Sequence, residues 1–234
     1  GDSKDIAIDG TVPTVTSIVR QAPTAEITNA STVTFAVTFS EDVTGVSAAN
    51  FTLAATGGQS VASVLSVSSV AGGTAWAVTI GTVDHAVGVV RADLVNTVDI
   101  VDLAGNALGA PHNGDESYTI DRVVPEILAL TRHDPPSPDT NAEQVVFAVT
   151  FSEAVFGLGT DNFSIDATGA QTSSAIASVD GSEETWTVTV TTATGDGSLS
   201  LDLDANLGDI VDRGGNPVPS SFAEGEAYDV DQTS

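Results

Sequence analysis

The chain has 234 residues, of which 32 are acidic and 6 are basic, and its formal net charge is −26. This charge argues against nucleic-acid binding, which needs clustered Lys and Arg, and against a basic helix lying on a membrane surface. The chain has no cysteine, so disulfides and thiolate metal sites are excluded. Hydrophobic residues make up 41% of the chain, which indicates a folded core rather than an acidic disordered tail. Since no run of about 20 apolar residues occurs, we expect no direct membrane insertion.

The apolar residues follow a period of two, which is typical of half-buried β-strands. Val33, Phe35, Val37 and Phe39 alternate with small or hydroxyl side chains, and Gly and Asn recur between such segments. In chain order, the pattern predicts strands near residues 14–20, 32–39, 50–55, 61–67, 75–80, 87–98 and 117–121. Short, regularly spaced strands of this kind predict an all-β antiparallel sandwich or barrel.

The sequence contains an internal repeat of about 110 residues, close to the length of one small β-sandwich domain. Residues 33–51 align with residues 145–163 at 12 identities in 19 positions, and the alignment continues to place Trp76 on Trp186. We expect the chain to be part of a longer tandem array. Residues 1–9 are predicted to be the end of a preceding repeat together with residues outside the repeat. The first domain is predicted at 10–121 and the second at 122–234.

Two short motifs recur at matching places in both units. Phe-Ser-Glu follows a strand at 39–41 and 151–153, and an Asp-x-x-Gly-Asn turn precedes the last strand at 102–106 and 212–216. These motifs resemble the bacterial immunoglobulin-like (Big) domains found in tandem in large secreted and surface proteins, and the resemblance covers both units nearly end to end. It implies two tandem immunoglobulin-like Greek-key β-sandwiches of about seven strands each. It also implies an extracellular or cell-surface location, with use as a spacer, sometimes loaded with calcium, or as an accessory module of a secreted enzyme.

The sequence offers no recognisable set of catalytic residues. The three histidines, His85, His112 and His133, lie at unmatched positions in the two units and have no second His nearby. There is no Gly-x-Ser-x-Gly elbow, no phosphate-binding Gly-rich loop and no His-Glu-x-x-His motif. We therefore expect the chain to have no enzymatic activity.

Three acidic positions recur in both units and suggest a metal site. They are an Asp where the chain enters the unit, a Glu after the second strand, and the Asp of the turn before the last strand. A seven-strand sandwich brings these three places to the same end, so we expect the carboxylates to converge there. They would repel one another unless a hard cation lay between them, and oxygen ligands on irregular loops suit Ca²⁺. The predicted calcium ligands are Asp9, Glu41 and Asp102 in the first unit and Asp121, Glu153 and Asp212 in the second.

Structural roles for the same acids are the open alternative. The two Glu residues would then accept hydrogen bonds from loop amides, the turn Asp residues would form Asx-turns, and Asp121 would be a solvated linker residue. Adaptation to high salt would also explain an acidic chain. It predicts acids scattered over the surface, whereas calcium binding predicts a subset focused where the chain enters each unit.

The sequence therefore predicts non-enzymatic extender repeats of a large exported bacterial surface protein, an adhesin stalk whose interdomain junctions are made rigid by calcium. Its expected partners are neighbouring repeats of the same chain, with any cell-surface or glycan partner bound by other regions of the full-length protein. The alternative is an accessory or ligand-binding module, for glycan or protein, of a secreted hydrolase. That alternative needs an exposed aromatic platform or apolar patch. Aromatic residues are only 5% of the chain, and we expect Trp76 and Trp186 in the core.

Overall fold

The structure is a computed structural model, and it describes residues 8–223 and 225–233. The chain divides into two compact units, Gly1–Val123 and Val124–Ser234. The predicted end of a preceding repeat, residues 1–9, lies outside the described residues except for its last two positions. Among the described residues, no helix combines the length and the apolar character that crossing a membrane requires.

The first unit is a β-sandwich. Its strands are β1 (Val15–Ala22), β2 (Ile27–Thr28), β3 (Thr32–Phe39), β4 (Val43–Thr44), β5 (Phe51–Ala55), β6 (Ser63–Ala71), β7 (Ala75–Gly81), β8 (Val87–Leu94), β9 (Val101–Asp102) and β10 (Tyr118–Asp121). One sheet has the order β1-β3-β7-β6, the other has the order β2-β10-β8-β5, and β4 pairs with β9. This is the strand order of an immunoglobulin-like sandwich. Its strand pairs are antiparallel except for the parallel pair β2–β10. The prediction of all-β, immunoglobulin-like sandwiches is confirmed.

The core forms where the alternating residues of the two sheets meet. Val33, Phe35 and Val37 of β3 are fully buried, and the residues between them are half-buried. Tyr118 of β10 packs its ring edge-on against Phe35, with ring centroids 5.1 Å apart. The alternation read from the sequence is thus the alternation between the core face and the outer face of each strand.

The second unit repeats this arrangement. Its strands are β11 (Ile127–Asp134), β12 (Asp139–Thr140), β13 (Gln144–Phe151), β14 (Val155–Phe156), β15 (Phe163–Ala167), β16 (Ala175–Ser182), β17 (Thr185–Thr191), β18 (Gly197–Leu203), β19 (Val211–Asp212) and β20 (Tyr228–Val230). The sheets have the orders β11-β13-β17-β16 and β12-β20-β18-β15, and β14 pairs with β19.

Two predicted strands differ most from their limits in the structure. The strand predicted near 87–98 ends at Leu94, because the amides of Val95 and Asn96 turn away and donate to the carbonyl oxygen of Asn50 at 3.0 and 3.1 Å. The strand predicted near 61–67 begins at Ser63 and continues to Ala71. The two-residue strands β2, β4 and β9 were not predicted, because two residues show no periodicity.

Candidate metal centres

Glu41 and Asp102 are brought side by side by the pairing of two very short strands. Glu41 lies between the end of β3 and the start of β4, and Asp102 is the last residue of β9. In the β4–β9 ladder, Val43 is paired with Asp102. Because Glu41 is only two residues before Val43, this register places the Glu after the second long strand next to the Asp of the turn before the last strand.

Asp102 is the acceptor at the centre of a compact turn. It is 3% exposed. Its Oδ1 accepts hydrogen bonds from the backbone amides of Ala104 and Asn106, each at 2.8 Å, and its Oδ2 accepts one from Asn106 Nδ2 at 2.8 Å. Donation by the Asn106 side chain is the largest cause that lowers the pKa of Asp102 below its ordinary value. The expected Asx-turn is therefore present, and it keeps Asp102 ionised.

Asp9 approaches the same turn from the beginning of the unit. Its carbonyl oxygen accepts a hydrogen bond from Asn106 Nδ2 at 3.1 Å, and its Oδ1 accepts one from the amide of Thr11 at 2.9 Å. The Asn106 side chain thus connects the segment that enters the unit to the turn before the last long strand. The side-chain nitrogen of Asn106, and not its oxygen, is what faces Asp102.

Carboxylate oxygens of Asp9, Glu41 and Asp102 lie within 4.8 Å of one another. Glu41 differs from Asp102 in having one buried side-chain oxygen, Oε1, with no hydrogen-bond partner in the part of the chain that the structure describes. The pKa of Glu41 is raised above its ordinary value of 4.5, first by desolvation and then by the charges of Asp102 and Asp9. Among the ion pairs of the described residues, none involves these three acids. Within residues 8–223 and 225–233, the group is therefore a concentration of negative charge without an ion-pair partner.

The matching residues of the second unit occupy the same local positions. Glu153 follows β13, Asp212 ends β19, and Val155 is paired with Asp212. The amide and the side-chain Nδ2 of Asn216 each donate to Asp212 at 2.8 Å, as Asn106 does to Asp102. Asp121, the third residue predicted here, is the last residue of β10, and its Oδ1 accepts a hydrogen bond from the amide of Val123 at 3.2 Å. A metal-binding role for the six acids stays a prediction.

The first unit also has a surface groove of about 550 Å³, lined in part by Arg20 and Arg91. Both guanidinium groups already have partners inside the unit. Arg91 donates to both carboxylate oxygens of Asp93 at 2.8 and 2.9 Å, and Arg20 donates to the carbonyl oxygen of Ser117 at 2.8 Å. The groove therefore lacks a free cationic group with which to bind an anionic ligand.

The described residues present little aromatic surface. Trp76 and Trp186 are partly buried and pack against the cores of their units, as expected. Each indole donates to a backbone carbonyl oxygen three residues earlier, Trp76 to Gly73 at 2.9 Å and Trp186 to Glu183 at 3.2 Å. Phe156, at 44% exposure, is the one aromatic side chain among the exposed large hydrophobic residues that the structure describes. A stacking platform for sugars would need more than one isolated ring.

No protein-family profile matches the chain, and no curated protein sequence matches it either. Among solved structures, 123 chains match. Surface layer protein SbsC, domains 1-6, is 14% identical, with 87% of this chain and 34% of that chain covered and a TM-score of 0.32. Yersinia pseudotuberculosis InvD is 16% identical, with coverage of 92% and 56% and a TM-score of 0.35. The D0-D1 domain of Intimin is 12% identical, with coverage of 94% and 100% and a TM-score of 0.25.

The chain spans about a third of the SbsC structure and somewhat more than half of the InvD structure. Because these identities and TM-scores are low, we draw no functional argument from them. The fold described above rests on the strand order and the pairing of the chain itself.

Proposed function

We propose that this chain is a non-enzymatic extender module of an exported bacterial surface protein, of the adhesin-stalk type, and that calcium binds where the chain enters each unit. The tandem repeat and the immunoglobulin-like strand order support the role of a spacer. The observation that carries the calcium hypothesis is the group formed by Asp9, Glu41 and Asp102, in which the buried Oε1 of Glu41 has no donor among the described residues.

The residues fit a calcium ion on distance and on chemistry. Calcium is bound by oxygen at about 2.3–2.6 Å, so two oxygens on the same ion are at most about 5 Å apart. The three carboxylates meet this condition, since their oxygens lie within 4.8 Å of one another. Magnesium binds at about 2.0–2.1 Å in a strict octahedron, which fits a spread group from three separate segments less well. A bound cation would supply Glu41 Oε1 with the electrostatic partner that it lacks.

The second group gives the ion a mechanical role. Asp121 ends β10 of the first unit, and only Arg122 and Val123 separate it from the second unit. An ion held by Asp121 together with Glu153 and Asp212 would tie this short linker to the second unit. By the repeat, Asp9 precedes the first strand β1 as Asp121 precedes β11. Calcium at each such position would restrain successive units and stiffen an array.

The energy available from each ion follows from mass action. At a calcium concentration tenfold above the Kd, binding raises the free energy of unfolding by about 1.4 kcal/mol per site. For a unit of about 110 residues, this corresponds to a rise in Tm of roughly 5 °C. Extracellular calcium sites commonly have Kd values of about 0.1–1 mM, so we expect the effect to saturate at millimolar calcium.

Calcium titration with calorimetry and thermal melting tests the proposal. The wild-type chain should bind calcium at two sites, and Glu41→Gln and Glu153→Gln should each remove one of them. Asp42→Asn is the matched control, because it removes one negative charge from the residue next to Glu41 but outside the group. EDTA should lower the Tm of the wild type and of the control, and small-angle scattering should show a wider range of dimensions. If EDTA changes neither the Tm nor the dimensions, the calcium mechanism is wrong.

A further inference from the structure

Strand β6 is an edge of its sheet. Among the described strands it pairs with β7 alone, and it is nine residues long. In an antiparallel ladder, alternate residues direct their backbone N–H and C=O groups away from the neighbouring strand. An edge of this length therefore presents a row of hydrogen-bonding groups that another strand can use.

This edge lies in an uncharged part of a very acidic chain. Residues 43–83 contain no Asp, Glu, Lys or Arg, although the chain as a whole has a charge of −26. The corresponding edge of the second unit is different. Ser68 of β6 faces Ala77 of β7, and the equivalent position on β16, facing Thr187 of β17, is Asp180. Glu183 and Glu184 follow β16 directly. The second unit thus carries on its edge strand a charge of the kind that natural proteins use to block edge pairing. Strand β6 itself has no charged residue, and the nearby acid, Asp42, lies beside Gly72 in the turn after it.

Apolar side chains are exposed along the same edge. Val61 is 78% exposed, and Leu65 and Val70 are each 58% exposed. Register shifts between Val64 and Ser66 and between Ser69 and Ala71 leave Leu65 and Val70 without a partner on β7. Strand β16 lacks the second of these shifts. The regular stretch 66–69 between the shifts is the part that can accept a new strand.

We propose that β6 is a self-association edge, which pairs antiparallel with β6 of a second copy of this chain. The charge distribution indicates which partner can bind at this edge. A basic partner would be attracted to the acidic surface elsewhere. Residues 43–83 are the longest uncharged stretch of the chain, so another acidic copy is repelled least there. Antiparallel pairing of a strand with its own copy is also compatible with a two-fold axis, so both copies use the same surface.

Sedimentation equilibrium of the wild-type chain against two matched variants tests the proposal. Ser68→Asp places on β6 the acid that the second unit has at this position. Ala54→Asp is the control: it adds the same charge within residues 43–83, but on β5 of the other sheet, where Asp166 stands opposite β18 in the second unit. Circular dichroism and melting should show that both variants fold. EDTA is present throughout, so that the result is independent of calcium binding.

We expect the mass of the wild type to rise with concentration, and to rise further with added NaCl, which screens repulsion between the copies. Ser68→Asp should raise the dimer Kd at least tenfold, and Ala54→Asp should change it less than twofold. A wild-type chain that stays monomeric up to about 1 mM, which limits any dimer to a Kd weaker than that, would overturn the proposal. Equal effects of the two substitutions would also overturn it, because the association would then follow net charge and not the edge.

A cysteine experiment gives a second, positional measurement. The chain has no cysteine, so Ser68→Cys and Ala54→Cys each create a single thiol. A disulfide needs Cβ atoms within about 4.5 Å, so only thiols brought together by the dimer should join quickly under oxidised glutathione. We expect Ser68→Cys to form a covalent dimer at least ten times faster than Ala54→Cys. Equal rates would contradict pairing of β6 with the two copies of Ser68 opposite each other.

Discussion

The hydroxyl group of Tyr118 is a sharp test of what holds the first unit together. Tyr118 is fully buried, and its hydroxyl donates to the carbonyl oxygens of Pro23 at 2.7 Å and Thr34 at 3.0 Å. It therefore fastens β10 to the turn after β1 and to β3. Tyr118→Phe removes the only donor of this shared hydrogen bond but keeps the ring and its edge-on packing against Phe35.

The expected loss can be calculated from the hydrogen bond alone, because the apolar burial is retained. A hydrogen bond contributes about 0.5–1.5 kcal/mol net, and leaving buried acceptors without a donor brings the cost to about 1–3 kcal/mol. For a unit of about 110 residues this is a fall in Tm of roughly 4–13 °C. Tyr228→Phe should cost a similar amount in the second unit, where the hydroxyl donates to Pro135 at 2.8 Å and Val146 at 3.0 Å.

Tryptophan fluorescence during urea unfolding can separate the two units, since each contains one Trp. In a Trp186→Phe background, Trp76 reports the first unit alone. With EDTA present, Tyr118→Phe should lower the urea midpoint of this transition without changing its slope. Tyr228→Phe is the control and should leave the Trp76 transition in place. A loss below about 0.5 kcal/mol for Tyr118→Phe would refute the assigned role of the hydrogen bond.

Two further predictions concern the acidic group and its neighbouring turn. In EDTA, the raised pKa of Glu41 means that the folded state binds a proton more readily than the unfolded state, so the Tm should rise as pH falls towards 4.5. Glu41→Gln should flatten this rise. The lowered pKa of Asp102 should reduce stability below pH 3.8 in the wild type and in Glu41→Gln alike. If the Tm of the two proteins depended on pH in the same way above 4.5, the reasoning would be contradicted. Gly45→Ala should cost more than about 3 kcal/mol by urea unfolding, because φ is +84° and the new Cβ would lie 1.8 Å from the carbonyl oxygen of Asp99. Gly105→Ala should cost only about 1 kcal/mol, because φ is +94° but the new Cβ would have none of the described atoms outside the adjoining residues within 4 Å. Equal losses in Gly45→Ala and Gly105→Ala would show that the contact with Asp99 is unimportant.

Much of the fold could be predicted because it depends on local pattern. The alternation from Val33 to Phe39 predicts β3, since a period of two is what places one face in the core. The lengths of β6 and β8 could not be predicted in the same way. β8 ends where Val95 and Asn96 bond to the distant carbonyl of Asn50, and a partner 45 residues away leaves no mark on the local pattern.

The candidate site shows the same division. The repeat identified Asp9, Glu41 and Asp102 as acids in equivalent positions, and the structure brings their oxygens within 4.8 Å. The sequence did not show that Asn106 would donate two hydrogen bonds to Asp102, whereas Glu41 Oε1 has no donor among the residues that the structure describes. That difference depends on which way side chains point in a turn fixed by β4–β9 pairing.

The sequence by itself determined the fold class, the repeat and the recurring acidic positions, because periodicity, composition and self-similarity are properties of the order of residues along the chain. The tertiary structure decided which strands lie at an edge and which charges lack a partner. In the sequence, Ser68 and Asp180 are only a difference between the two repeats. The sheet order places each of them on an outer strand. Their difference then becomes one between an open edge and a charged one, because exposure and pairing are set by neighbours that are distant in the chain.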